Sequence, residues 1–171
     1  MQKLPYLLMA MFWASNFVWA TDPFAGNWTL SVKRSKYPPG SRPKSMMINM
    51  EAIDHGIRYY SETTYPNGSS CHSQYTADYN GTQVIVSGDH GLLLPVSLKQ
   101  LDSNTLVASY TRALQVVATS RRVVSKDGRL MTITTTSRDG SGKNVTSVGV
   151  YERKGPAVNR HELARKGGSH L

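Results

Sequence analysis

What most constrains this chain is the punctuation of its sequence by turn residues. Asp54-His55-Gly56, Pro66-Asn67-Gly68, Asn80-Gly81, Asp102-Ser103-Asn104, Lys126-Asp127-Gly128 and Asp139-Gly140-Ser141-Gly142 break it into short runs. Those runs recur roughly every 8 to 14 residues, the length of a strand with its turn. Within them apolar and polar side chains alternate: Met46, Ile48 and Met50 against Met47, Asn49 and Glu51, then Tyr75, Ala77 and Tyr79 on one face of 72–79. No window of about 12 residues carries helical periodicity. Asn80-Gly81 between alternating runs is the strongest local hairpin signal, because both residues accept the positive φ of a tight turn. Further strands are expected over 45–52, 57–65, 83–87, 92–101, 105–110, 114–125, 130–137 and 144–151. Short hairpins without a long crossover predict an all-β fold, a single antiparallel up-and-down β-barrel of about 8 to 10 strands.

The first strand is expected at Phe24-Ala25-Gly26-Asn27-Trp28-Thr29-Leu30. Gly26 suits a tight corner, and Trp28 two residues on is expected to close one end of the barrel with its indole. Residues 33–44 (KRSKYPPGSRPK) hold three prolines and five basic side chains. Such a segment cannot be helical and reads as an extended basic loop.

Residues 1–20 have a basic start and an apolar run, with a cleavage site expected after Ala20, and read as a signal peptide. That leaves a barrel over 21–154 and a basic disordered tail over 155–171, and it implies a secreted or periplasmic location. Cys71 is the single cysteine, so no disulfide partner exists and stability must come from packing. The formal charge of +9 favours anionic partners, an anionic envelope surface among them, although a basic surface also serves solubility. A monomer without cofactor or nucleic-acid partner is expected.

Phe24-x-Gly26-x-Trp28-x-Leu30 and Val150-Tyr151-Glu152-Arg153 resemble the opening and closing strands of the lipocalin and fatty-acid-binding protein superfamily. The stretch from Ser120 through Gly128 to Leu130-x-Thr132 is similar to its penultimate hairpins, and the nearest likeness is to small exported bacterial lipocalin-like proteins. The resemblance implies a barrel around a ligand cavity. Two departures matter. The helical lid of fatty-acid-binding proteins has no counterpart, its place being taken by the 33–44 loop. Where that family carries Arg-x-Tyr on the last strand, this chain has Gly149-Val150-Tyr151, keeping the tyrosine and losing the arginine. A second interior arginine of the family falls near Arg121 and Arg122. Alternation lets only one of them point inward, either toward a ligand anion or onto the ring of Trp28.

Catalytic signals are weak, and a non-enzyme is expected. Cys71-His72 are strand neighbours facing opposite sides and make a poor metal chelate. No Gly-x-Ser-x-Gly elbow is present, and no base accompanies Cys71. Asn27, Asn67, Asn80 and Asn144 begin Asn-x-Ser/Thr triplets that matter only in a glycosylating pathway, and two of these asparagines belong to Asn-Gly turns. The expected ligand-binding set is Met46, Ile48, Met50, Tyr59, Tyr75 and Val84 as lining, with Arg121 or Arg122 and Tyr151 as the polar end. Its ligand would be a small apolar or amphipathic molecule. The rival is a filled barrel whose basic loop touches anionic polymers or lipids.

Overall fold

The computed structural model describes residues 22–89 and 93–155; the expected signal peptide and the tail beyond Gly155 lie outside the described residues. Eleven strands form one antiparallel sheet that curls on itself: β1 (Gly26–Leu30), β2 (Ser45–Ile53), β3 (Gly56–Thr64), β4 (Ser70–Asp78), β5 (Asn80–Val84), β6 (Ser87–Gly88), β7 (Val96–Asp102), β8 (Thr105–Arg112), β9 (Gln115–Val124), β10 (Leu130–Arg138) and β11 (Asn144–Arg153). The order is β5-β7-β8-β9-β10-β11-β1-β2-β3-β4-β6. Every sequential hairpin from β7 to β11 pairs with its neighbour, and β1 joins the last strand to β2 through Leu30 opposite Tyr151.

Closure is completed by one segment shared between two strands. The strand expected over 83–87 is split in two: Asn80 to Val84 pair with β7, whereas Ser87 and Gly88 pair with Gln74 and Ser73 of β4. β4 and β7 diverge there, and an extended segment can bond only one neighbour along each edge. The strand expected from residue 92 begins instead at Val96, directly after Pro95, whose missing N–H cannot join a ladder. The only helical element among the described residues is a 3-10 turn at Val32–Arg34, so the mouth carries the 33–44 segment in place of a helical lid.

The strands define two ends. The turns after β2, β4, β7 and β9 lie at the end that holds Trp28, and those after β3, β8 and β10 lie at the opposite, mouth end. At the closed end Phe24, Trp28, Ile48, Met50, Ile57, Leu98, Leu106 and Met131 are completely buried. Trp28 donates its indole N–H to the Phe24 carbonyl at 2.9 Å. Arg153 covers the other face of the ring, its Cζ 4.1 Å from the centroid, and donates to the carbonyls of Pro23, Ala25 and Gly128. The cation on Trp28 is therefore Arg153, not Arg121 or Arg122. Gly26 explains the approach: its φ of +143° is poorly tolerated by other residues, and a Cβ there would run into the Arg153 guanidinium.

Candidate functional site

Above this plug the interior opens into a cavity of about 500 Å³, within the range of small-ligand sites. Its floor is built from Tyr59 of β3, Tyr75 of β4 and Arg122 of β9. Tyr59 and Tyr75 stack with centroids 4.7 Å apart and planes 12° from parallel. Arg122, 2% exposed, lies with its Cζ 4.9 Å from the Tyr59 centroid and donates from Nη2 to the Tyr75 hydroxyl at 2.8 Å. Its Nε and Nη1 are buried and have no hydrogen-bond partner, and no carboxylate lines the cavity among the described residues. Burial works to lower the pKa of this guanidinium, while the surrounding phenols of Tyr75, Tyr110 and Tyr59 work to raise it; the net direction is upward. Arg122 is a buried cation at every accessible pH.

Higher up, the wall carries hydroxyl groups. Ser61 and Ser73 share a hydrogen bond at 2.9 Å across β3 and β4, and Ser120 and Thr135 share one at 2.7 Å across β9 and β10. Each pair uses one hydroxyl proton between its two oxygens, which leaves the other proton and further lone pairs for a guest. Apolar surface faces them from Met46, Val86, Ile133 and Val145. The basic loop enters the mouth through Tyr37, Pro38 and Pro43. Tyr37 stands over Gly149, where a Cβ would lie 2.9 Å from its hydroxyl and 2.7 Å from the Tyr151 ring. The position where the resemblance leads one to seek an arginine is thus occupied by two tyrosines. Tyr151 points its hydroxyl at the Met46 sulfur, 3.1 Å away.

The structure brings Met46, Tyr59, Tyr75, Arg122 and Tyr151 together around this cavity. Ile48 and Met50 share the inward face of β2 but lie opposite Trp28 and Gly26, in the plug rather than the wall. Val84 is half-buried against the core and pairs with Val96, while Val86, two residues on, reaches the cavity. Arg121 is exposed on the outer face. Sequence reasoning missed Ser61, Ser120, Thr135, Tyr110 and Tyr37. Ser61 follows from the alternation that marks Tyr59 as inward, Ser120, Thr135 and Tyr110 needed the register of β8 to β10, and Tyr37 sits in an irregular loop that carries no periodic signal. Cys71 lines the upper wall with its Sγ 3.9 Å from the Tyr65 hydroxyl, and no group of three metal-ligating side chains occurs among the described residues. A second depression on the outer face of β2 to β4 has its cation, Arg58, already paired with Glu51 at 2.9 Å.

The buried phenols make the interior sensitive to alkali. Burial raises Tyr59 to about 12, against the opposing pull of Arg122, and raises Tyr75 and Tyr151 as well. In the folded chain these groups hold their protons to higher pH than in the unfolded chain. Their contribution to stability is therefore complete below about pH 10 and lost as pH rises through the folded values. Each tyrosine removes about 1.4 kcal/mol per pH unit in that window, so the three together remove about 4. Cooperative loss of the β-sheet circular dichroism signal is expected between pH 10 and 12, coincident with tyrosinate absorbance. A sheet that survives while all tyrosines titrate as free phenols would contradict this burial.

No protein-family model and no curated protein sequence matches the chain. Among solved structures it is similar to zebrafish ileal bile acid-binding protein complexed with cholic acid, with a TM-score of 0.50 and 11% identity, over 77% of this chain and 99% of that one. It is also similar to the siderocalin Ex-FABP, with a TM-score of 0.43 and 13% identity, over 85% of this chain and 83% of that one. At such identity the first likeness shows the fold: an antiparallel barrel of the lipocalin and fatty-acid-binding type.

Proposed function

We propose that this chain is an exported, non-enzymatic carrier whose cavity holds a small amphipathic organic anion, head down on Arg122. The observation that carries the reading is the Arg122 guanidinium itself, almost fully buried at the cavity floor with two unpartnered nitrogens and no carboxylate among the described residues of the wall. An unpaired buried cation is costly to the empty fold. A carboxylate or similar anion would accept charge-assisted hydrogen bonds from the free N–H groups of this guanidinium. The ligand body would then lie between the hydroxyl pairs and the apolar patch, which suits a molecule with both kinds of surface. The bile acid held by the zebrafish neighbour is one such molecule. The open upper interior of about 500 Å³ supports the carrier reading over a filled barrel.

The test is calorimetric titration of the purified chain, after native mass spectrometry has shown what co-purifies. The probes are decanoate, cholate and gluconate as anions, and decanol as the uncharged counterpart of decanoate. Decanoate or cholate is expected to bind at least about tenfold more tightly than decanol, the smallest difference expected of a charge-assisted pair. Equal affinity for decanoate and decanol would remove Arg122 from the head-group role, and no binding by any probe would overturn the carrier reading. Export predicts a processed chain beginning at Thr21, read by N-terminal sequencing of the secreted or periplasmic fraction; an intact Met1 start would refute it.

A further inference from the structure

The charge of the barrel is concentrated at its mouth. Lys33, Arg34, Lys36, Arg42 and Lys44 of the mouth loop are exposed, and so are Arg112, Arg138 and Lys143 at the tops of β8, β10 and β11. The only acidic residues at that end, among those described, are Glu62, Asp89 and Asp139. Asp89 is engaged by His72 at 3.1 Å, and Asp139 accepts from the backbone of Ser141 and Lys143. At the closed end acidic and basic side chains balance. Arg58 faces Glu51 there, Lys154 lies near Glu152, and Asp54, Asp78, Asp102 and Asp127 occupy the turns.

Two exposed apolar side chains, Leu114 and Val116, stand together at the same end. Leu114 is 96% exposed at the tip of the β8–β9 hairpin and Val116 is exposed beside it, whereas Ile85 lies in the outer depression with Arg58 and Glu51, and Leu101 is exposed at the closed end. The hairpin tip is also strained. Ala113 and Leu114 have φ of 47° and 64°, the left-handed pair of a tight two-residue turn usually filled by Asn-Gly. A leucine held outward in that geometry is costly locally and contributes nothing to the core. Cations interspersed with solvent-facing apolar side chains match the interface of an anionic bilayer: the charges meet the head groups and the apolar tips enter the acyl boundary. A soluble polyanion would use the charges and leave Leu114 and Val116 without purpose.

We infer that the mouth end is a docking surface for an anionic lipid membrane, with Leu114 as its inserting tip, so that the cavity opens toward the bilayer. This goes beyond the carrier reading and does not require it, since docking needs no cavity ligand.

The experiment is co-sedimentation of the full chain with phosphatidylcholine vesicles, with or without phosphatidylglycerol. Any partitioning by the apolar segment near the N-terminus is common to both vesicle types and to all variants. Preferential binding to the anionic vesicles is expected, and it should weaken steeply with salt. Combined Lys33→Gln, Arg34→Gln and Lys36→Gln should reduce it about a hundredfold, at roughly fivefold per cation. Lys99→Gln with Lys126→Gln, away from the mouth, should leave it unchanged. Leu114→Gly accepts the left-handed turn and should melt no lower than the parent while binding anionic vesicles about tenfold less tightly, as expected for a lost apolar anchor. No preference for anionic vesicles, or equal loss from the closed-end pair, overturns the docking surface. Full vesicle binding by Leu114→Gly, together with equally tight binding of inorganic polyphosphate, would instead identify a polyanion surface and overturn the membrane assignment.

Discussion

Arg122→Met is expected to leave the fold at least as stable as before and to destroy anion binding at once. The side chains are of comparable length, so the floor beneath Tyr59 and Tyr75 remains filled. What disappears is a cation held at 2% exposure with Nε and Nη1 unpartnered. Replacing a poorly compensated buried charge with an apolar side chain is commonly neutral to stabilising by about 1–4 kcal/mol. Against this stand one hydrogen bond, from Nη2 to the Tyr75 hydroxyl at 2.8 Å, and the cation–π contact with the Tyr59 ring at 4.9 Å. A hydroxyl released into a cavity with other hydroxyls loses about 1 kcal/mol. The net expectation in urea denaturation lies between no change and a gain of about 2 kcal/mol. Affinity for decanoate or cholate should meanwhile fall at least about a hundredfold, since two charge-assisted bonds are lost. An arginine kept for structure would show the opposite pattern, lower stability with unchanged affinity, and that pair of results would end the carrier reading at this residue.

Trp28→Ala carries the largest expected loss of stability, about 3–5 kcal/mol. The indole is fully buried, closes the end opposite the mouth, and holds the segment before β1 through its bond to the Phe24 carbonyl. Arg153 uses the ring face as one support while binding the carbonyls of Pro23, Ala25 and Gly128. Removing the ring therefore leaves a cavity and strips one partner from an arginine that ties the N-terminal segment to the β9–β10 turn. A domain of this size typically holds 5–15 kcal/mol in total, so the variant should sit near the edge of folding at growth temperature. Trp28→Phe keeps most of the volume, loses the N–H donor and should fall between. A measured loss below about 1.5 kcal/mol for Trp28→Ala would show that the plug is not the closing element.

The barrel was legible in the sequence because it is specified locally. Asn80-Gly81 and Asp54-His55-Gly56 mark hairpins by their own backbone preferences, and a period of two tells which residues share a face. From that period Tyr59, Tyr75, Trp28 and Tyr151 could be placed inward without knowing their neighbours. The same period limits Arg121 and Arg122 to one inward cation. It cannot say which, because a single step of register moves the whole strand to the other face.

Only the tertiary structure decided height along the barrel axis. Ile48 and Met50 share a face with Met46, yet the pairing of Trp28 with Ile48 and Gly26 with Met50 sets them in the plug while Met46 reaches the cavity. Cross-strand register depends on where each hairpin turns and on how β1 meets β11, contacts far apart in sequence that periodicity does not encode. The partners of the two interior cations depend on the same long-range geometry. Arg153 meets Trp28 because β11 runs beside β1, and Arg122 meets Tyr75 only because the sheet curls until β9 and β4 face one another across the interior. The strands and their inward faces belong to the sequence by itself; the cavity, its unpaired cation and the charged mouth exist only once the sheet has closed.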